Sequence, residues 1–164
     1  MKTKKLVMTA LLAALACVAT MVIKVPSPKG YVNLGDSVVL LAGWMMSPLY
    51  GFYSASIGSM LADLLLGYGM YAPATFVIKG VMAVVACLIA RSISKKTGNL
   101  VSKIISGVVA EVIMISGYFL FEGIYYGSFY TGAIGIPFNA VQGIFGLVVG
   151  IVLARIFEKS GIMK

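Results

Sequence analysis

The chain is poor in acid, with only 5 Asp and Glu against 13 Lys and Arg in 164 residues, and it has no histidine. Lacking histidine, it lacks the side chain most used as a general base and metal ligand. It also has no GxxxxGK[ST] stretch, so it carries no loop of that kind for ATP phosphates. Cysteine falls to two residues, Cys17 and Cys87, both inside apolar runs. That placement excludes an exposed disulfide framework and marks both as packing residues. These shortages imply no metal and no cofactor. Charged residues make up only 11% of the chain, whereas 60% is hydrophobic and the mean hydropathy is +1.02. This is too apolar for a water-soluble fold and reads as an all-α integral membrane protein in a single domain. The net charge of +8 does not point to nucleic acid, because the cations fall in short clusters between apolar runs and form no basic face.

A span needs about 20 apolar residues rising about 1.5 Å each. On that rule six helices are expected, near 6–23, 34–47, 49–67, 72–91, 100–121 and 132–156. The "SPLYG" step at 47–51 separates the second from the third, since proline removes an amide donor and glycine accepts turn dihedrals. The N-terminal "MKTKK" followed by an apolar run, "ALA" and "AALAC" resembles a signal peptide. A retained first helix is expected instead, because Ala14 stands where a lipobox wants a large aliphatic and many spans follow. Cation-rich short loops stay on the cytoplasmic side. Lys2, Lys4 and Lys5 begin the chain, Arg91, Lys95, Lys96 and Lys103 surround "SISKKTGN", and Arg155, Lys159 and Lys164 end it. All three clusters share one side if four crossings precede residue 91 and two follow it. The expected location is therefore the cell membrane, multi-pass, with both termini cytoplasmic.

Three outer loops remain, "KVPSPKGYVN", "GYGMYAP" and "EGIYYGSFYTG". Tyrosine at the water boundary serves as an interfacial belt. The cluster Tyr125, Tyr126, Phe129 and Tyr130 between glycines also reads as a mobile aromatic lid over a flat ligand. Tyr71 in the second loop joins the same aromatic set.

An ionisable group inside a span costs about 2.5–3.5 kcal/mol at the centre, so each needs a reason. Lys79 is expected roughly 10 Å below the outer end of the fourth helix. Asn139 and Gln142, three residues apart and so on one face, lie at a similar depth, as does Asp63. Asn33 and Asp36 stand at the outer start of the second helix, and Glu111 lies deeper, near the middle of the fifth. Two readings stay open here. Lys79 either pairs with Asp63 or Glu111 to hold helices together, or these groups converge on an outward-facing polar pocket for a small, hydrogen-bonding molecule. Asp36 likewise serves either as a helix N-cap or as a ligand contact. Small residues at Ala10 and Ala14, and again at Gly146, Gly150 and Ala154, allow close helix approach in lipid. The second stripe is read as internal packing.

The stretch "NLGDSVVLLAGWMMSPLYGFYSASIGSMLADLLLGYGMYAPATFVIKG", residues 33–80, resembles the S components of energy-coupling factor (ECF) vitamin transporters. It is closest to the branch assigned to riboflavin, hydroxymethylpyrimidine and pyridoxine. "LGD", "PLYG", "LAD" and "APATFVIKG" in that order carry the likeness, and length, helix count and basic termini match across the chain. Ser47, Ala83 and Cys87 stand where relatives commonly have glycine. The resemblance implies a six-helix, ECF S-component-like protein that captures a vitamin from outside. It implies partners too, a transmembrane T component and two cytoplasmic ATPases, which hold the ATP chemistry this chain lacks. In that family an AxxxA pattern on the first helix contacts the T component, and Ala10 and Ala14 match it. Pocket chemistry favours pyridoxine or hydroxymethylpyrimidine, with riboflavin as the alternative. The competing classes fare worse: a membrane enzyme would want paired carboxylates, and an autonomous carrier would want inverted repeats. The sequence shows neither.

Overall fold

The computed structural model describes residues 2–28 and 30–160. Lys29, in the first outer loop, and Lys164, counted in the last basic cluster, lie outside the described residues. The elements in chain order are α1 (Lys2–Val22), β1 (Lys24–Ser27), β2 (Gly30–Asn33), α2 (Gly35–Met45), α3 (Pro48–Leu65), α4 (Ala72–Thr97), α5 (Asn99–Tyr125), α6 (Phe129–Ala133) and α7 (Ile136–Lys159). α1, α4, α5 and the α6–α7 stretch are long and apolar enough to cross a membrane. α2 is apolar but only 11 residues long.

α2 is the centre of the bundle. Every residue from Gly35 to Trp44 is buried, against α1, α3, α4, α5 and α7. Val38, Val39, Leu40 and Leu41 form the core with Met82 and Ala86 of α4 and with Ala110 and Met114 of α5. A helix apolar all round belongs in such a core rather than at its edge. The Trp44 indole donates to Ser106 Oγ at 3.0 Å, which settles its one polar atom. At the same C-terminal end of α2, Arg91 donates to the Met46 carbonyl at 2.9 Å and Cys87 Sγ lies 3.4 Å from the same oxygen. Carbonyls left over at a helix C-terminus are met there by a cation.

α1 is peripheral. Thr9, Leu12, Ala13, Ala16 and Thr20 face inward, and Gly58 of α3 meets them: a Cβ on Gly58 would run into the Ala13 carbonyl and the Ala16 methyl. Small residues let the two backbones touch. Ala10 and Ala14 lie on the opposite, exposed face. Gly146, Gly150 and Ala154 of α7 pack against α2, so that stripe is internal.

The segment between α1 and α2, read from sequence as a loop, is an antiparallel hairpin pairing Lys24 with Asn33 and Val25 with Val32. α5 also runs on to Tyr125, which places Glu122 in a helix and not in an outer loop. The basic residues Lys2, Lys4, Lys5, Lys95, Lys96 and Lys159 all sit at helix ends opposite the hairpin. Lys103 pairs with Glu158 at that basic end, tying α5 to α7.

Candidate functional site

At the hairpin end the bundle opens into a cleft, part of it continuous with solvent. Its roof is Ser27, Pro28, Gly30 and Tyr31 of the hairpin. Its walls are Asp63, Tyr68, Tyr71, Thr75, Tyr118 and Glu122, closed by Gly135, Phe138 and Asn139 at the start of α7. Asn33, Lys79 and Gln142 form the floor.

The floor is a chain of hydrogen bonds. Asn33 donates to Gln142 Oε1 from both its backbone and its side-chain amide, each at 3.0 Å. Gln142 Nε2 donates to Asp36 Oδ2 at 2.7 Å, and Lys79 pairs with Asp36 Oδ1. Both Asp36 and Lys79 are almost fully buried. A buried ion pair holds only where further hydrogen bonds satisfy it, and Gln142 supplies one here. Four segments thereby meet at one level: the hairpin, α2, α4 and α7.

This arrangement bears on the cap reading of Asp36 and on the partner of Lys79. Asp36 does not cap α2: Leu34 stands at the cap position with no side-chain bond, and Asn33 Oδ1 instead accepts from the Gly35 amide at 2.8 Å. Its carboxylate is drawn to the buried ammonium, although its charge still lies in the first turn where the helix dipole favours it. Lys79 pairs with neither Asp63 nor Glu111 but with Asp36.

On the wall, Asp63 Oδ1 accepts from the Tyr31 hydroxyl at 2.6 Å, while its buried Oδ2 has no hydrogen-bond partner among the described residues. Burial first, and then the neighbouring Asp63 carboxylate, push the Tyr31 hydroxyl far above its ordinary pKa, so it stays a donor. The Tyr31 and Tyr68 rings lie 5.0 Å apart. Opposite them the Tyr71 hydroxyl donates to Glu122 Oε1 at 3.2 Å, and Thr75 Oγ1 and the Tyr118 hydroxyl are 2.9 Å apart. Lys79 Nζ lies 5.4 Å from the centre of the Tyr118 ring, a cation–π distance.

Of the residues singled out from sequence, Asn33, Asp63, Tyr71, Lys79, Asn139 and Gln142 line this one cavity. Asp36 lies just beneath it. Glu111 lies below the floor beside Asp36 and does not line it. Tyr125 and Tyr126 are exposed at the end of α5, edge to face with ring centres 5.1 Å apart, and Phe129 packs on Phe119. None of these aromatic residues lines the cavity, so the roof is the hairpin and not the Tyr cluster. Sequence reading missed Tyr31, Tyr68, Thr75, Tyr118 and Glu122. A signal existed for one of them: Thr75 precedes Lys79 by four residues, so the two share a helix face.

The fold and this cleft define a helical membrane protein with a chamber lined mainly by polar residues, edged by aromatic rings, at one end of its bundle. The chain belongs to the ECF-type riboflavin transporter S component family, whose sequence model matches residues 1–159. An uncharacterized protein in a gap 3′ region of Pyrococcus woesei is 34% identical over 145 residues, covering 87% of this chain and 93% of that one. Among solved structures, the S component of a bacterial ECF transporter aligns at a TM-score of 0.71 and 25% identity, covering 97% of this chain and 98% of that chain. This is thus an S component of an ECF-type transporter and a membrane transport protein.

Proposed function

We propose that this S component captures riboflavin in the cavity beneath the hairpin and delivers it through a complex with a T component and two ATPase subunits. On this reading the chain crosses the membrane six times, its basic end and both termini are cytoplasmic, and the cavity faces outward. ATP hydrolysis belongs to the partners, and this chain binds without catalysing. The exposed Ala10 and Ala14 face of α1 is the contact surface for the T component.

The observation that carries the ligand assignment is the division of the cavity lining. Tyr31, Tyr68, Tyr71, Tyr118 and Phe138 offer ring faces, while Asp63, Lys79, Glu122 and Asn139 offer polar atoms to the same space. Riboflavin matches both halves, having a flat ring system and a polyhydroxylated chain. The family description supports the same vitamin. Asp63 Oδ2, buried and open, suits a ligand hydroxyl. Pyridoxine or hydroxymethylpyrimidine is the second reading, favoured by the two acids Asp63 and Glu122 on the wall, which suit a protonated ring nitrogen.

The test is to purify the chain in detergent, record the visible spectrum of copurified material, and titrate riboflavin by fluorescence quenching without metal or nucleotide. Nanomolar to micromolar riboflavin binding, displaced by neither pyridoxine nor hydroxymethylpyrimidine, is the expected result. Retention of one of those two instead selects the second reading. Retention of none of the three overturns the vitamin-binding assignment.

A further inference from the structure

Glu111 does not line the cavity just described, yet it is 5% exposed and neither carboxyl oxygen has a hydrogen-bond partner among the described residues. The groups around it can be named helix by helix. α2 presents Asp36, α4 presents Lys79, and α7 presents two glycines, Gly143 and Gly146, with Gln142 one residue before the first already bonded to Asp36. α6 meets α5 only near its far end, at Gly123 and Phe119, and puts no titratable group near Glu111. A Cβ on Gly143 would sit 3.1 Å from Glu111 Oε2. A Cβ on Gly146 would sit 3.1 Å from Glu111 Oε1 and 2.7 Å from Asp36 Cβ. The two acids therefore share one bare patch of α7. Bare glycine there leaves room for a second carboxyl and gives it nothing to bond to.

The charges in this layer balance without Glu111. Asp36 and Lys79 neutralise each other, and a second carboxylate would place an uncompensated negative charge in a water-poor core. Such a group takes up a proton in preference to bearing that cost. We propose that Glu111 carries a proton at neutral pH and acts as a positioning residue, leaving Asp36 the sole counter-ion of Lys79 and so fixing the ammonium at the cavity floor. When Glu111 loses its proton at alkaline pH, Lys79 is shared between two carboxylates and drawn off the floor. The sign follows. The ligand-binding arrangement is the protonated one, so affinity is full below the ionisation of Glu111 and falls as pH rises through it. The proton passes to solvent through the cavity, and no bond between heavy atoms changes. The affinity arm of this inference rests on the vitamin-binding reading, and the proton itself does not.

The experiment uses the full chain in lipid nanodiscs and compares it with Glu111→Gln, a neutral isostere of the protonated acid. Infrared difference spectra should show a protonated-carboxyl C=O band at pH 7 that is missing in E111Q and that vanishes from the unsubstituted chain on alkalinisation. A folded chain with no such band at pH 7 overturns the proposal. Riboflavin affinity of the unsubstituted chain should drop about tenfold across the same alkaline range, about 1.4 kcal/mol, while E111Q gives a flat profile. An E111Q profile that keeps the drop overturns the positioning role. If riboflavin binds neither protein, the vitamin assignment fails on its own. The ¹⁵N resonance of the Lys79 ammonium then decides, since it should move over that range in the unsubstituted chain and stay fixed in E111Q. A resonance that moves alike in both overturns the proposal.

Discussion

α1 and α2 are both strongly apolar helices, and they lie in opposite places. α2 is buried from Gly35 to Trp44, while α1 buries five of its 21 residues and turns Leu6, Leu11, Leu15 and Val18 outward. Hydrophobicity alone therefore does not separate a core element from a lipid-facing one. Length does better, because 21 residues reach across the bilayer unaided whereas 11 need the segments on either side to complete the crossing. The difference also divides the work. α2 brings Asp36 just beneath the cavity floor and is held on every side, whereas α1 leaves one face exposed.

The sharpest way to break this contrast is at the buried end of α2. Asp36→Ala strands a buried ammonium and should cost about 3–5 kcal/mol, read as a large fall in melting temperature in detergent and as loss of ligand binding. The double substitution of Asp36→Asn with Lys79→Met removes both charges and should restore most of the stability but not the binding. Recovery of binding as well would mean that Lys79 does not touch the ligand.

Next comes the seam between α1 and its neighbour. Gly58→Leu forces a side chain into the Ala13 carbonyl and should cost about 1–3 kcal/mol by overpacking, measured by thermal unfolding. A smaller effect is expected at the roof. Tyr31→Phe removes the 2.6 Å bond to Asp63 and should cost about 0.5–1.5 kcal/mol, seen as faster riboflavin release with little change in melting temperature. Smallest for the isolated chain is Ala14→Trp on the exposed face of α1. Stability should change by no more than about 0.5 kcal/mol and riboflavin binding should persist, while uptake in cells expressing the whole transporter should be lost. Loss of binding in the isolated chain would place Ala14 in an internal contact and undo the contrast.

Much of this fold could be read from the chain. Apolar length and the SPLYG break, which act locally, located the long helices to within six residues at every end, the largest miss being the C-terminal end of α4, expected at 91 and found at Thr97. The hairpin was harder. "KVPS" and "GYVN" are only four residues each, and a proline in a strand argues against pairing, so nothing local outweighed the reading as a loop. Six candidate residues did converge on one cavity, because buried polar side chains in an apolar chain are few enough to be informative. Their partners could not be read. Whether Lys79 chooses Asp36, Asp63 or Glu111 depends on helix rotation, and α4 and α5 carry apolar residues on most faces, which leaves that rotation unspecified. The aromatic cluster at Tyr125 and Tyr126 misled for a related reason, since a ring beside glycine suits a lid or a membrane boundary equally.

The brevity of α2 has a last effect on the surroundings. Its 11 residues rise about 16 Å, roughly half of an oily layer about 30 Å thick, so the hairpin leading into it must follow the chain downward. β1 is the outer, exposed strand of that hairpin, and the backbone groups along its open edge have no strand to bond to. Acyl tails offer nothing to such groups, so water has to travel down with them. On the proposed outward-facing topology the protein would carry a dimple of hydration into the leaflet on that side, and an arriving solute would keep part of its own shell until it reached the Asn33–Gln142 floor.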